Sequence, residues 1–113
     1  MKNFSYAMSG LWEITKNESS FKFQLVALVC APVVAWVLPV ETFYKVILSL
    51  SIFIPLMAEL INSAIERVVD LVTIEYVEMA KYAKDAGAAL VFVSVVFTGL
   101  IWIFTLLIAF KKV

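Results

Sequence analysis

Histidine is absent from the 113 residues, and cysteine occurs once, at Cys30. Without histidine the chain has no imidazole base, no histidine metal ligand and no Ser-His-Asp triad. Any reaction therefore falls to carboxylate, lysine, tyrosine or thiol chemistry. A lone cysteine excludes an internal disulfide. The glycines, Gly10, Gly87 and Gly99, lie too far apart to form a phosphate-cradling loop of the P-loop or dinucleotide type. Charge is scarce too: 16% of the residues are charged, against about a quarter in a soluble domain. Nine basic residues balance nine acids, leaving no basic excess to attract nucleic acid. The excess is apolar, at 64% of the chain. That composition excludes disorder and points to one small integral membrane domain over residues 1–113.

Residues 86–110 carry no charge, and as a helix rising about 1.5 Å per residue they outrun the roughly 30 Å hydrocarbon core. Residues 23–40 are also uncharged, with Pro32 expected to kink the helix and Pro39 to end it. The uncharged run at 46–58 stops at Glu59, short of the roughly 20 residues a span needs. Extending it to residue 65 places Glu59 and Asn62 inside the membrane. Near the N-terminus Phe4, Met8, Leu11 and Thr15 recur at helical spacing beside Trp12, the pattern of an interfacial amphipathic helix rather than a cleaved signal peptide. The expected architecture is all-α: a surface helix over about 4–20 and membrane helices over about 22–40, 44–74 and 84–111.

Three spans put the N-terminal segment and the 66–85 connection on one side. Lys2, Lys16, Lys22, Arg67, Lys81 and Lys84 fall there, against Lys45, Lys111 and Lys112 on the other, so the positive-inside rule makes the first side cytoplasmic. Every acid except Glu41 lies on that side or enters the membrane from it.

At about 100° per residue, Glu59, Asn62, Ser63, Glu66, Asp70 and Thr73 share one stripe of the middle helix. A wet helix end or a subunit contact accounts for Asp70 and Thr73. Glu59 is different, because an ionisable group within a span usually faces a protein interior or cavity and marks a functional path. Two more clusters, Glu18 in NESSFK and Lys84 with Asp85 in YAKDAG, precede the first and third spans. With Glu66 they offer carboxylates to a magnesium ion and an ammonium to a phosphate. Composition and periodicity end at this polar cytoplasmic boundary and do not identify a reaction.

The segment AELINSAIERVVDLVTIEYVEMAKYAKDAGAAL closely resembles the prokaryotic diacylglycerol kinase family, whose hallmark is E-x-x-N-S-A-I-E-x-x-V-D followed by A-K-D. The likeness runs upstream through YAMSGLWEITKNESSF and downstream to Trp102. It implies a homotrimeric helical bundle in the inner membrane, its site at the cytoplasmic face, that moves the γ-phosphate of MgATP to the hydroxyl of diacylglycerol. By resemblance Glu59 is the catalytic base and Asn62 its active-site neighbour, while Glu18 and Glu66 hold the magnesium that accompanies ATP. Lys84 and Asp85 match the pair at the ATP site, the lysine toward phosphate. Tyr6, Glu75, Tyr76 and Val77 fall at further nucleotide-contacting positions. Lys45, Trp102 and the surface helix correspond to lipid-contacting regions, and Ala88 stands at such a position where a serine is common. An arginine that family members carry near the N-terminus has no counterpart here unless Lys2 substitutes, and a compact ammonium lacks its planar fork. The rival enzyme is the related undecaprenol kinase, which typically carries a histidine-proline pair before A-K-D where this chain has EYVEMAKYAKD. A rival of another class is a non-catalytic membrane assembly protein in which Glu59 and Asn62 bond across helices.

Overall fold

The computed structural model describes residues 2–111; Met1, Lys112 and Val113, and with them one lysine of the charge asymmetry, lie outside the described residues. The order is α1 (Lys2–Asn17), α2 (Ser19–Val37), α3 (Thr42–Ser51), α4 (Phe53–Val72) and α5 (Glu78–Lys111), with no strand among the described residues. Three helical stretches are long and apolar enough to cross a bilayer: Ser19–Val37, Thr42–Val72 and Glu78–Lys111. The chain is an all-α membrane protein.

Each boundary has a local cause. α1 closes where the Asn17 side chain donates to the Glu13 carbonyl at 3.0 Å, satisfying an acceptor that the helix end leaves open. Glu18 is extended (φ −117°, ψ 114°) and hands the chain to α2. Pro32 lies inside α2, which continues through it, whereas Leu38 before Pro39 turns extended (ψ 144°), as a residue preceding proline must. The middle span is interrupted at Ile52. Pro55 has no N–H to give, and its ring clashes with the carbonyl four residues back, at Ser51, so the α3 ladder stops there. Ser51 compensates locally: its Oγ donates to the Leu48 carbonyl at 2.7 Å and accepts the Trp102 indole N–H at 2.9 Å.

The third span starts further from the bilayer than its apolar run suggests. α5 begins at Glu78, with Lys81 and Asp85 paired at 2.6 Å one turn apart and Glu78 at the positive end of the helix dipole. At 34 residues it is about 51 Å long, so its first turns stand outside the hydrocarbon.

In the middle span 39% of the most apolar window is buried, against 11% in each outer span, which makes α3 and α4 the inner element. α4 packs most extensively on α5, where Gly87, Ser94 and Thr98 form a small-residue face that lets the backbones approach. α2 covers both α3 and α4. α1 buries no residue, leaving Phe4, Tyr6 and Trp12 exposed on a helix whose apolar side suits a membrane surface.

Candidate active site

The polar stripe of α4 becomes a site because α1, α2 and α5 each bring groups to it. Glu59 is 7% exposed and Ser63 3%, both on the packed face of α4. Ser20, in the first turn of α2, donates its hydroxyl to Glu59 Oε2 at 3.3 Å. Glu18 and Glu66 are the carboxylates whose charge reaches Glu59. One turn beyond Glu59, Asn62 donates its amide N–H to Glu66 Oε1 at 3.1 Å. Asn62 Oδ1 is buried with no hydrogen-bond partner and faces Gly87 of α5. The absence of a side chain at Gly87 is what admits it, since a Cβ there would collide with that oxygen.

At the water end, Lys84 pairs with Asp70 at 2.7 Å across α5 and α4, and Glu66 also acts on its charge. Beside it the α4–α5 turn opens a crevice of about 400 Å³ whose lining includes Glu75, Tyr76, Val77, Lys81, Lys84 and Asp85. The Thr73 hydroxyl accepts the Glu75 backbone N–H at 3.0 Å and shapes that turn.

A guanidinium links this end to the surface helix. Arg67 of α4 donates from Nε and NH2 to the two oxygens of Glu13 at 2.9 and 2.8 Å, and from NH1 to Glu18 Oε1 at 2.9 Å. The Arg67 hydrogen bonds, with one from Asn17, hold the Glu13 carboxyl below the usual carboxylate range. Because the folded value is the lower one, the clasp's contribution is complete above the unfolded carboxylate value and is lost as pH falls through the folded one. A carboxyl-carbon NMR titration is expected to give Glu13 a depressed midpoint that Arg67→Met raises toward the ordinary range, the Asn17 hydrogen bond remaining. An ordinary midpoint in the unmutated protein would mean that the clasp is not formed.

The fold thus assembles Glu18, Glu59, Asn62 and Glu66 in one chain, with Lys84, Asp85 and residues 75–77 at the adjoining crevice. Asp85 itself pairs with Lys81, and Lys84's partner is Asp70. Tyr6 is exposed on α1, and Ala88 is exposed on α5 beside Gly87. Lys45 sits fourteen residues before Glu59 in the middle span, about 21 Å away in helical rise. Its ammonium donates to the Trp36 carbonyl at 3.1 Å at the end of α2 and lies 5.5 Å from the Trp36 ring centre. Trp102 lines a membrane-level groove of about 380 Å³ with Ile52, Pro55 and Thr98. Sequence reasoning missed Ser20, Gly87 and the pairing roles of Arg67 and Asp70, none of which carries a local signal; the Lys81–Asp85 pair, also missed, was readable in its i,i+4 spacing.

Glu18 and Glu66 supply hard oxygen donors, and each has one oxygen engaged, by Arg67 and by Asn62. Among the described residues no three carboxylates or thiols form a ready cage. Two carboxylates leave the rest of a shell to phosphates and water, the ligand set that magnesium commonly takes.

The sequence profile described as "Prokaryotic diacylglycerol kinase" matches residues 5–106. The chain is 35% identical over 102 residues to the diacylglycerol kinase of Escherichia coli (strain K12), covering 90% of this chain and 84% of that one. It is 37% identical over 99 residues to the diacylglycerol kinase of Haemophilus influenzae, covering 86% and 82%. It is 34% identical over 100 residues to the undecaprenol kinase of Bacillus subtilis, covering 88% and 81%. The protein is a membrane lipid kinase, using ATP as co-substrate. It belongs to the prokaryotic diacylglycerol kinase family.

Proposed function

We propose that the chain phosphorylates diacylglycerol to phosphatidic acid, with MgATP as donor and Glu59 as the general base. The observation that carries this reading is a buried carboxylate inside a membrane helix, Glu59, held by Ser20 one turn before the Asn62–Glu66 pair of the same chain, with the lysine-lined crevice opening further along α4 from Val69 onward. In the reaction the lipid hydroxyl gives its proton to a Glu59 carboxylate oxygen as its own oxygen bonds to the γ-phosphorus. The bond from the γ-phosphorus to the β,γ-bridging oxygen breaks, and ADP leaves with that electron pair. Asn62, fixed by Glu66, orients the polar end of the site, and Lys84 faces the phosphates from the crevice wall. Glu18 and Glu66 would hold the magnesium delivered with the nucleotide, whose chemistry is neutralisation of phosphate charge. The chain's own contribution is positioning and electrostatics, which is most of what phosphoryl transfer requires.

The groove beside Trp102 is apolar and suits an acyl chain at membrane depth. Identity at the level of 35% against 34% does not separate the two lipids. The turn and first α5 residues, EYVEMAKYAKD, without a histidine-proline pair, favour diacylglycerol. The lysine asymmetry supports an inner-membrane location with the site facing the cytoplasm. The homotrimer rests on the family resemblance; the exposed apolar faces of α2 and α5, with Val29, Val33, Phe92 and Phe104 outward, are open to lipid or to sister chains.

The deciding experiment presents the purified protein in bilayers with MgATP and either diacylglycerol or undecaprenol and compares kcat/KM. Diacylglycerol is expected to lead; preference for undecaprenol would move the chain to the rival substrate, and product from neither would overturn both.

A further inference from the structure

Arg67 has no role in the chemistry set out above, yet its guanidinium ties Glu13, Glu18 and the Ser63 carbonyl together. It projects from α4 one residue beyond Glu66, is about one-third exposed, and reaches two acids at once, Glu13 in α1 and Glu18 at the α1–α2 junction. Its donor geometry is divided. The Nε and NH2 edge is filled by both oxygens of Glu13, while NH1 serves Glu18 Oε1 and, at 3.3 Å, the Ser63 carbonyl. Glu13 and Ser63 therefore fix the guanidinium plane, and that plane fixes one Glu18 oxygen, Oε1.

We propose that Arg67 is a positioning residue for Glu18, setting the affinity for magnesium-bound nucleotide without touching the nucleotide. The inference rests on the assignment of Glu18 to the metal made under the proposed function. Glu18 needs such a support because its backbone lies at the extended junction between α1 and α2, and its side chain makes no capping bond there. A carboxylate on a junction without a partner samples several rotamers, and ordering it on binding costs affinity. A lysine would not serve, since a compact ammonium lacks the planar fork that meets Glu13 and Glu18 together.

The test measures dissociation constants for a non-hydrolysable ATP analogue by titration, with magnesium and with EDTA, on Arg67→Met, Arg67→Lys and Glu18→Gln. Arg67→Met is expected to weaken the magnesium-dependent binding about tenfold, the lower end of what losing a partner behind a metal ligand costs. Metal-free binding should change little, and kcat at saturating MgATP should stay within about threefold. Arg67→Lys should resemble the methionine variant, and Arg67→Met added to Glu18→Gln should have no further effect on binding. Equal weakening with and without magnesium, or full rescue by lysine, would reduce Arg67 to a positive charge and overturn the proposal. Unchanged magnesium-dependent binding in Arg67→Met, in a preparation whose unmutated protein phosphorylates lipid, would overturn the inference alone. An unmutated protein that transfers no phosphate would overturn the reading beneath it and the inference together.

Discussion

Replacing Glu59 by glutamine is expected to lower kcat for lipid phosphorylation by about 10²–10⁴-fold, the range that a general base contributes. Nucleotide binding should survive, because in the proposed reaction Glu59 acts on the acceptor hydroxyl and not on the nucleotide. Glutamine keeps the size of the side chain and an oxygen to accept the Ser20 hydroxyl, so the packing of α2 on α4 is retained. It also removes a charge from a membrane helix, which is neutral or favourable for folding. A well-folded, nucleotide-binding and inactive variant is the distinctive outcome. Kinetics on the variant in bilayers, beside titration with the ATP analogue, would check it; near-normal turnover would mean that another group takes the proton.

Gly87→Ala is expected to be damaging too, less than Glu59→Gln and for a different reason. Alanine is better than glycine in a helix interior by about 1 kcal/mol, so on propensity alone α5 should gain. The space denies that gain: a methyl at position 87 would meet Asn62 Oδ1 in collision and Asn62 Cγ at 3.3 Å. Either Asn62 swings off its bond to Glu66, or α4 and α5 separate. Inserting one carbon into a packed interface costs about 1–3 kcal/mol, which exceeds the propensity gain over most of that range. Activity should fall about 10- to 100-fold, in line with displacing a group that orients catalytic neighbours. Thermal unfolding in detergent, read with kcat, distinguishes the two routes. Loss of activity at unchanged stability means that Asn62 moved, and loss of both means that the helices parted.

These two residues also mark what one-dimensional information contains. Glu59 was legible because it interrupts an apolar run that is too short without it, and Glu66 and Asn62 followed at helical spacing. The surface helix and the three spans were legible from hydropathy and periodicity. The break at Ile52 was written in Pro55, whose effect falls four residues upstream on a carbonyl, where the sequence shows only Ser51. The start of α5 was obscured because its first turns are polar and are held by a charge pair at i,i+4 rather than by apolar burial. The Arg67 clasp joins residues 54 positions apart, and Gly87 meets Asn62 across two helices. Such contacts depend on the packing of α1, α4 and α5, which no local pattern encodes. Lys45 shows the converse: its charge suits a lipid contact by position, and in the fold it caps the end of α2.

The claim that joins these results is that one chain of this family carries ATP's terminal phosphate to a diacylglycerol hydroxyl, with Glu59 taking the proton. The most direct test is label transfer from γ-labelled MgATP to diacylglycerol in bilayers, run side by side on the unmutated protein and Glu59→Gln. The account predicts labelled phosphatidic acid with the first and essentially none with the second. Label remaining on ATP, appearing only as inorganic phosphate, or passing to diacylglycerol equally well in both would contradict it.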